Sequence, residues 1–110
     1  MQTNEAKRLA TTESLFRDVN ERIAESAQRG AADEAAFVCE CSDGSCTHRV
    51  EAPLDDYEDV RRRSTLFLVV PGHEDERIEH VVGEAGDATV VEKRGGVVAA
   101  TVRGLDPRRA

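Results

Sequence analysis

Three cysteines lie within eight consecutive residues, Cys39-Glu40-Cys41-Ser42-Asp43-Gly44-Ser45-Cys46, and the remainder of the 110-residue chain contains none. If Cys39 and Cys41 lie on a strand, both sulfurs point to the same face, and a turn at 42–45 can return Cys46 to that point. An odd number of cysteines fits a disulfide framework poorly, and we expect a cytoplasmic location because the chain shows no secretory signal. The cluster therefore predicts a metal site, which would replace part of the core of a small domain.

Zinc is the metal that fits these ligands best, because structural zinc sites close tetrahedrally with three cysteines and one histidine. Two histidines are candidates for the fourth position. His48 is close in sequence, in the spacing Cys46-x-His48. His73 lies where a central strand ends, and a helix that begins near Glu74 would stabilise the negative charge of such a centre. We favour His73, because it would also tie the cysteine segment to that strand. The predicted metal ligands are thus Cys39, Cys41, Cys46 and His73.

An iron-sulfur cluster is the alternative metal centre, since it uses similar ligands. The pair Cys39-x-Cys41 beside Asp43-Gly44-Ser45 is distantly similar to the CDGSH-type iron proteins, which hold a 2Fe-2S cluster by three cysteines and one histidine. Here the Asp-Gly-Ser precedes the last cysteine instead of following it, so this similarity is weak. A third interpretation, buried cysteines without a metal, fits a polar turn that contains glycine poorly.

Apolar periodicity predicts a long amphipathic helix from Thr11 to Gly30. Its apolar residues recur at three- and four-residue spacing, which predicts that they form one buried stripe of Phe16, Val19, Ile23 and Ala27. Residues 1–10 could extend this helix, and we assign them to a flexible N-terminus.

The remaining elements are predicted to be short. They are a strand over 35–41, a turn over 42–45, a returning strand over 46–51, a helix over 53–63, a central strand over 66–70, a helix over 74–85, a strand over 88–93 and a last strand over 97–102. Gly83 is unfavourable inside a helix, so a hairpin strand stays open as the alternative for 74–85. His80 would be a surface or half-buried residue of that helix.

These elements predict a single small metal-binding α+β domain over residues 11–103. It would consist of a small sheet, a long N-terminal helix, two shorter helices and a zinc-stapled β-hairpin. Residues 104–110 are predicted to be a C-terminal tail.

Four motifs follow one another along the chain: Phe37-Val38-Cys39-Glu40-Cys41 with the later Cys46, Asp56-Tyr57-Glu58-x-Val60-Arg61, Phe67-x-Val69-x-Pro71-Gly72-His73, and Val90-Val91-Glu92-Lys93. As a set, from about Thr12 to Lys93, they resemble a family of short uncharacterised bacterial proteins, mainly actinobacterial. In that family the Cys-Glu-Cys, the later Cys and the Pro-Gly-His recur, while the position of His48 varies. The resemblance implies the same ligand set, Cys39, Cys41, Cys46 and His73, and implies no activity. The chain departs from the family at Ala52-Pro53 and at Gly95-Gly96.

Composition narrows the classes of partner. The net charge of -7, the absence of tryptophan and an aromatic content of only 4% argue against a nucleic-acid surface. The longest apolar run, Leu66 to Val70, is too short to cross a bilayer. We therefore expect another protein as the partner and no membrane, nucleic acid is disfavoured as a partner, and the oligomeric state stays open.

The sequence favours a non-enzymatic function. It contains no His-Glu-x-x-His, no Gly-x-Ser-x-Gly and no phosphate-binding glycine loop. The predicted function is a small zinc-binding protein whose structural Cys3His site supports a protein-interaction or regulatory module. The alternatives are a thiol-based redox or metal sensor, and a zinc hydrolase with water at the fourth position and Glu74 or Asp43 as the base.

Overall fold

The computed structural model describes residues 1–108 and confirms the α+β class, with a long N-terminal helix and two shorter helices. In chain order the elements are α1 (Thr3–Arg29), β1 (Glu34–Val38), β2 (Arg49–Pro53), α2 (Leu54–Arg61), β3 (Leu66–Val69), β4 (Glu79–Ala85), β5 (Ala88–Lys93) and α3 (Gly96–Gly104). Strands β1 and β2 pair as an antiparallel hairpin, and the other strands form a separate antiparallel sheet in the order β3-β5-β4. The single sheet expected from the sequence is thus two small sheets, with α1 packed on β1 and α3.

Helix α1 begins at Thr3, so the prediction that residues 1–10 are flexible is wrong for most of that segment. Ala6, Leu9 and Ala10 are buried and belong to the same core cluster as Cys39 and Cys41. Small apolar side chains at this spacing carry little periodic signal by themselves, and it is the contact with the cysteine segment that buries them.

The buried face of α1 is not the one that apolar periodicity predicts. Val19 is 45% exposed and Phe16 is only half-buried, whereas Ile23 and Ala27 are half-buried and pack against a core cluster, so only the C-terminal part of the expected stripe contributes to the core. The buried face instead contains polar residues, among them Arg17, whose guanidinium donates to the carbonyl oxygens of Ser64 and Val102, both at 2.7 Å. Buried polar groups are tolerated when they are hydrogen-bonded, and these partners lie far away in sequence.

Two further elements differ from the prediction. Residues 79–85 form strand β4, which is the hairpin alternative, and not the helix predicted for 74–85. A two-residue turn joins β4 to β5. That turn requires Gly86, because its φ of 57° is left-handed and a Cβ would lie 2.6 Å from the Cα of Ala52. Residues 96–104 form helix α3 rather than a last strand, since Val98 and Val102, four residues apart, pack together into the core cluster beside α1.

The C-terminal segment is anchored where the sequence predicts a tail. Asp106 is buried, and its carboxylate accepts hydrogen bonds from Arg61 at 2.5 Å and Ser64 at 2.6 Å. Arg108 pairs with Glu58 at 2.6 Å. The last two residues of the predicted tail, 109 and 110, lie outside the described part of the chain. Within that described part, none of the helices has the length and apolar composition that crossing a membrane requires.

Candidate metal centre

The structure brings together one ligand atom from each of four side chains, which we name the Cys3His group: Cys39, Cys41, Cys46 and His73. These atoms all lie within 4.8 Å of one another. The Nδ1 atom of His73 lies 3.6 Å from the sulfur of Cys39 and 3.8 Å from that of Cys46. The four residues predicted as ligands are therefore close enough to hold one metal ion.

The cysteines lie in the loop between β1 and β2, not on the strands where the sequence places them. Strand β1 ends at Val38 and β2 begins at Arg49, so the predicted strands 35–41 and 46–51 are each shorter at the metal end. One more ladder-like hydrogen bond, from the Cys39 N–H to the His48 carbonyl at 3.0 Å, continues the hairpin into the loop. Because the backbone of this loop is not held to the regular hydrogen bonding of a β-ladder, three sulfurs of a short segment can point to one position.

Glu40 holds the first two cysteines in place, and sequence reasoning missed this role. It is fully buried between Cys39 and Cys41, and its carboxylate accepts the Leu68 N–H at 3.0 Å and the Asn20 side-chain amide at 2.7 Å. Its own N–H donates to the Leu68 carbonyl at 2.9 Å. The pair of cysteines is thereby fastened to both β3 and α1. A glutamate within an otherwise apolar run was the available signal, since a buried carboxylate requires partners.

A side-chain-capped turn returns Cys46 to the group, as predicted for residues 42–45. The Asp43 carboxylate accepts both the backbone N–H of Ser45 at 2.9 Å and its hydroxyl at 2.7 Å. The Cys46 N–H donates to the Asp43 carbonyl at 3.0 Å. The hydrogen bonds from Ser45 hold the pKa of the Asp43 carboxyl below its ordinary value, so the turn is built on an ionised aspartate.

His73 comes from the loop that follows β3. Its N–H donates to the Val70 carbonyl at 2.9 Å, closing a tight turn in which Gly72 has a φ of 90°. The Val70 N–H in turn donates to the sulfur of Cys39 at 3.2 Å. A second link joins the two loops, because the Ser42 hydroxyl donates to Asp75 at 3.1 Å. The His73 side chain therefore reaches the cysteines from a backbone that is hydrogen-bonded to one of them.

The other histidines lie outside the group. His48 is exposed, and its ring stands edge-on to that of His73 with 5.1 Å between ring centroids. His80 is exposed on β4, not on a helix. The electrostatic reason for preferring His73 is wrong, since no helix begins near Glu74 and the chain passes through a turn into β4 instead. The topological reason accounts for the arrangement, because His73 does join the cysteine loop to the end of β3.

One side of the Cys3His group is buried, and the other side is partly exposed to solvent. Cys39 and Cys41 are buried, at 1% and 2% exposure, whereas Cys46 and His73 are only half-buried. Burial raises the pKa of the Cys39 thiol, partly opposed by the Val70 N–H, and burial also raises the pKa of the Cys41 thiol. A bound divalent cation reverses this preference, because it stabilises thiolates far more than burial penalises them.

The two carboxylates considered as hydrolytic bases are both occupied by local hydrogen bonds. Asp43 caps its own turn, and Glu74 accepts the Gly72 N–H at 3.1 Å. With four protein side chains converging on one point, the arrangement fits a closed coordination shell better than one that keeps a position for water.

Comparison with protein-family models, with curated proteins and with solved structures found no significant match. The resemblance to a family of short bacterial proteins therefore stays a prediction, and the functional assignment rests on the geometry of the Cys3His group.

Proposed function

We propose that this protein binds one Zn²⁺ ion in a structural, non-enzymatic site, and that the fold held by this ion serves a protein-interaction or regulatory role. The single observation that supports the proposal most strongly is the convergence of Cys39, Cys41, Cys46 and His73 within 4.8 Å. The odd number of thiols also supports a location in the reducing cytoplasm, where they stay available to a metal.

The spacing of the ligand atoms supports zinc. With Zn–S of about 2.3 Å and Zn–N of about 2.0 Å, a tetrahedral ion separates a sulfur from a nitrogen by about 3.5 Å. The separations from His73 Nδ1 to the Cys39 and Cys46 sulfurs are 3.6 and 3.8 Å. An iron-sulfur cluster divides its four ligands between two irons and requires a wider set. The compact group therefore favours a single ion.

The position of the group between two loops supports a structural role. Cys39 and Cys41 pack with residues of α1, β3 and α3 in one core cluster, while His73 belongs to the loop after β3. An ion at this point would join the core cluster that contains Cys39 and Cys41 to the loop after β3. In such sites the free energy of metal binding becomes free energy of folding.

The first test measures metal content and metal dependence of folding. Protein purified without added metal is expected to contain one zinc per chain by elemental analysis and to show no visible absorbance, in contrast to an iron-sulfur protein. Removal of the metal by a strong chelator should abolish cooperative thermal unfolding followed by circular dichroism. Full thermal stability of the metal-free protein would contradict the structural role.

A matched pair of variants tests the ligand set. His73→Ala should weaken zinc binding by more than about 100-fold, because it removes a ligand, whereas His48→Ala should change it by less than about twofold. The two histidines are neighbours with different roles, so His48→Ala controls for local charge and exposure. The affinity is measured by competition with a chromogenic chelator. Equal losses in both variants would refute His73 as the fourth ligand.

A thiol-based redox or metal sensor is the second candidate, and the half-buried Cys46 favours it. Two thiolates lose two electrons to a peroxide and become a disulfide, which releases the metal. Zinc release is followed with a chromogenic indicator during titration with mild peroxide. Release at stoichiometric peroxide supports the sensor. Thiols that resist oxidation while the metal stays bound exclude it.

A further inference from the structure

The outer face of α1 has an apolar surface that the fold leaves uncovered. Leu15 is 62% exposed and Val19 is 45% exposed. Together with four neighbours these two residues line a shallow groove along the helix, formed by Leu15, Asp18, Val19, Arg22, Ile23 and Ser26. We name this surface the α1 groove.

The α1 groove holds part of the apolar stripe of the helix, while the opposite, buried face holds Glu13, Arg17 and Asn20. Amphipathic helices ordinarily bury their apolar stripe, because the hydrophobic effect favours that orientation. Here the buried face combines these polar residues with small apolar ones such as Ala10 and Ala24, and Leu15 and Val19 are left at the surface. Exposed apolar surface with a polar rim is typical of a protein-protein contact.

Two opposite charges lie in the α1 groove, one helical turn apart. The Oδ1 atom of Asp18 is shielded from solvent and has no hydrogen-bond partner within residues 1–108. Arg22 is exposed, and it forms no ion pair with any residue that the structure describes. An occupant that complements both charges would present a cation to the accessible side of the half-buried Asp18 carboxylate and an anion to Arg22. A purely acidic or a purely basic surface would satisfy only one of them.

We propose that the occupant is a second copy of this chain, with the two α1 helices antiparallel about a two-fold axis level with residue 20. Positions 18 and 22 are equally distant from that axis. Each Asp18 therefore lies opposite Arg22 of the second copy, and the interface contains this ion pair twice. A two-fold contact requires a self-complementary surface, and the order Asp18, Val19, Arg22 provides one.

The apolar residues are compatible with the same register. Val19 lies next to the axis and meets Val19 of the second copy. Leu15 lies level with residue 25 of the facing helix. There it contacts the end of the second copy's groove, which is lined by Arg22 and Ser26. The interface is one helix wide, and two chains of net charge -7 repel each other at long range, so the dimer is a weak one.

This contact is independent of the metal. The Cys3His group packs against Ala6, Leu9 and Ala10, on the buried side of α1. A monomeric protein that binds zinc normally would refute the dimer and leave the metal proposal intact.

Charge reversal tests the pairing. Asp18→Arg places two arginines opposite each other at each contact, and Arg22→Asp places two aspartates there, so each variant alone should raise the dimer dissociation constant at least tenfold. In a dimer that contains one chain of each variant, both contacts again join an arginine to an aspartate. The mixture should therefore form a heterodimer with an affinity close to that of the wild type. Sedimentation velocity over about 1 to 500 μM protein covers the range expected of a small interface.

A second pair of variants tests the apolar part. Leu15→Glu should abolish dimerisation, whereas Val81→Glu, at another exposed valine with 51% exposure on β4, should not affect it. Zinc content and circular dichroism confirm that each variant is folded. Three results would each overturn the proposal: a wild type that stays monomeric throughout, single charge variants that dimerise like the wild type, or a mixture that does not associate.

Discussion

A buried cluster of three ionisable groups allows a prediction about stability and pH. The Lys93 ammonium contacts the carboxyl groups of Glu13 and Glu79, all three side chains having no exposure, and it also lies 4.4 Å from the centroid of the Phe67 ring. Burial raises the pKa of Glu13 to about 9, and the negative charge of Glu79 adds to this while Lys93 opposes it. At neutral pH Glu13 is therefore protonated in the folded protein, and Glu79 forms the ion pair with Lys93.

The sign of the pH dependence follows from the direction of this shift. The pKa of Glu13 rises from 4.5 to about 9 on folding, so its contribution to stability is fully present below pH 4.5 and is lost as the pH rises through about 9. At pH 7 the folded protein has taken up a proton that the unfolded chain releases. The value pH 7 lies about 2.5 units above 4.5, and each unit costs about 1.4 kcal/mol. The uptake of this proton therefore lowers the free energy of unfolding at pH 7 by about 3 kcal/mol, relative to its value below pH 4.5.

Glu13→Gln removes that penalty. An amide has the shape of the protonated carboxyl group and can also donate to Glu79 and accept from Lys93, but it does not titrate. We expect the variant and the wild type to be nearly equal in stability below pH 4.5, and the variant to be more stable by about 3 kcal/mol at pH 7.

Urea unfolding of both proteins at several pH values measures this difference, and subtraction removes the titrations that they share, including those of the metal ligands. The control is Glu25→Gln, an exposed glutamate on the same helix, for which the difference should stay within about 0.5 kcal/mol at every pH. A Glu13→Gln variant that is less stable than the wild type at pH 7, or a difference that does not depend on pH, would show that Glu13 is ionised in the folded state.

Two further substitutions test the packing. Lys93→Met should destabilise the fold by about 3–5 kcal/mol in urea unfolding, because the buried Glu79 carboxylate loses its cation; a loss below about 1 kcal/mol would mean that water reaches the cluster. Gly86→Ala should lower the free energy of unfolding by about 2 kcal/mol or more, because the added Cβ would lie 2.6 Å from the Ala52 Cα at a residue with a left-handed φ. The control is Gly83→Ala, whose Cβ would meet nothing within 4 Å and which should cost less than about 1 kcal/mol. Similar losses for both glycines would contradict the close approach of the β4–β5 turn to β2.

The candidate metal centre is the part of the molecule that the sequence predicts best. Three cysteines within eight residues restrict one another by covalent spacing, and the turn between Cys41 and Cys46 needs only local chemistry from Asp43 and Ser45. The choice of His73 over His48 cannot be made from the residues around the cysteines alone. It depends on where β3 ends relative to the cysteine loop, and the helix that was expected to favour His73 is absent from the described residues.

The errors in secondary structure share one cause. The β-branched run at 97–102 favours a strand by local propensity, yet it forms α3 because Val98 and Val102 complete the core beside α1. The acidic start and apolar spacing of 74–85 favour a helix, yet the segment pairs with β5. Propensity is a weak influence of less than about 1 kcal/mol per residue, and tertiary packing outweighs it.

By itself the sequence determined what is local: the α+β class, the position of the hairpin and the set of residues able to bind a metal. Only the tertiary structure decided which face of α1 is buried. Arg17 and Asn20 lie inside because their hydrogen-bond partners come from Val102, 85 residues away, and from Glu40, 20 residues away. A periodic pattern along one helix contains no information about such distant partners, whose hydrogen bonds compensate the loss of water from polar groups.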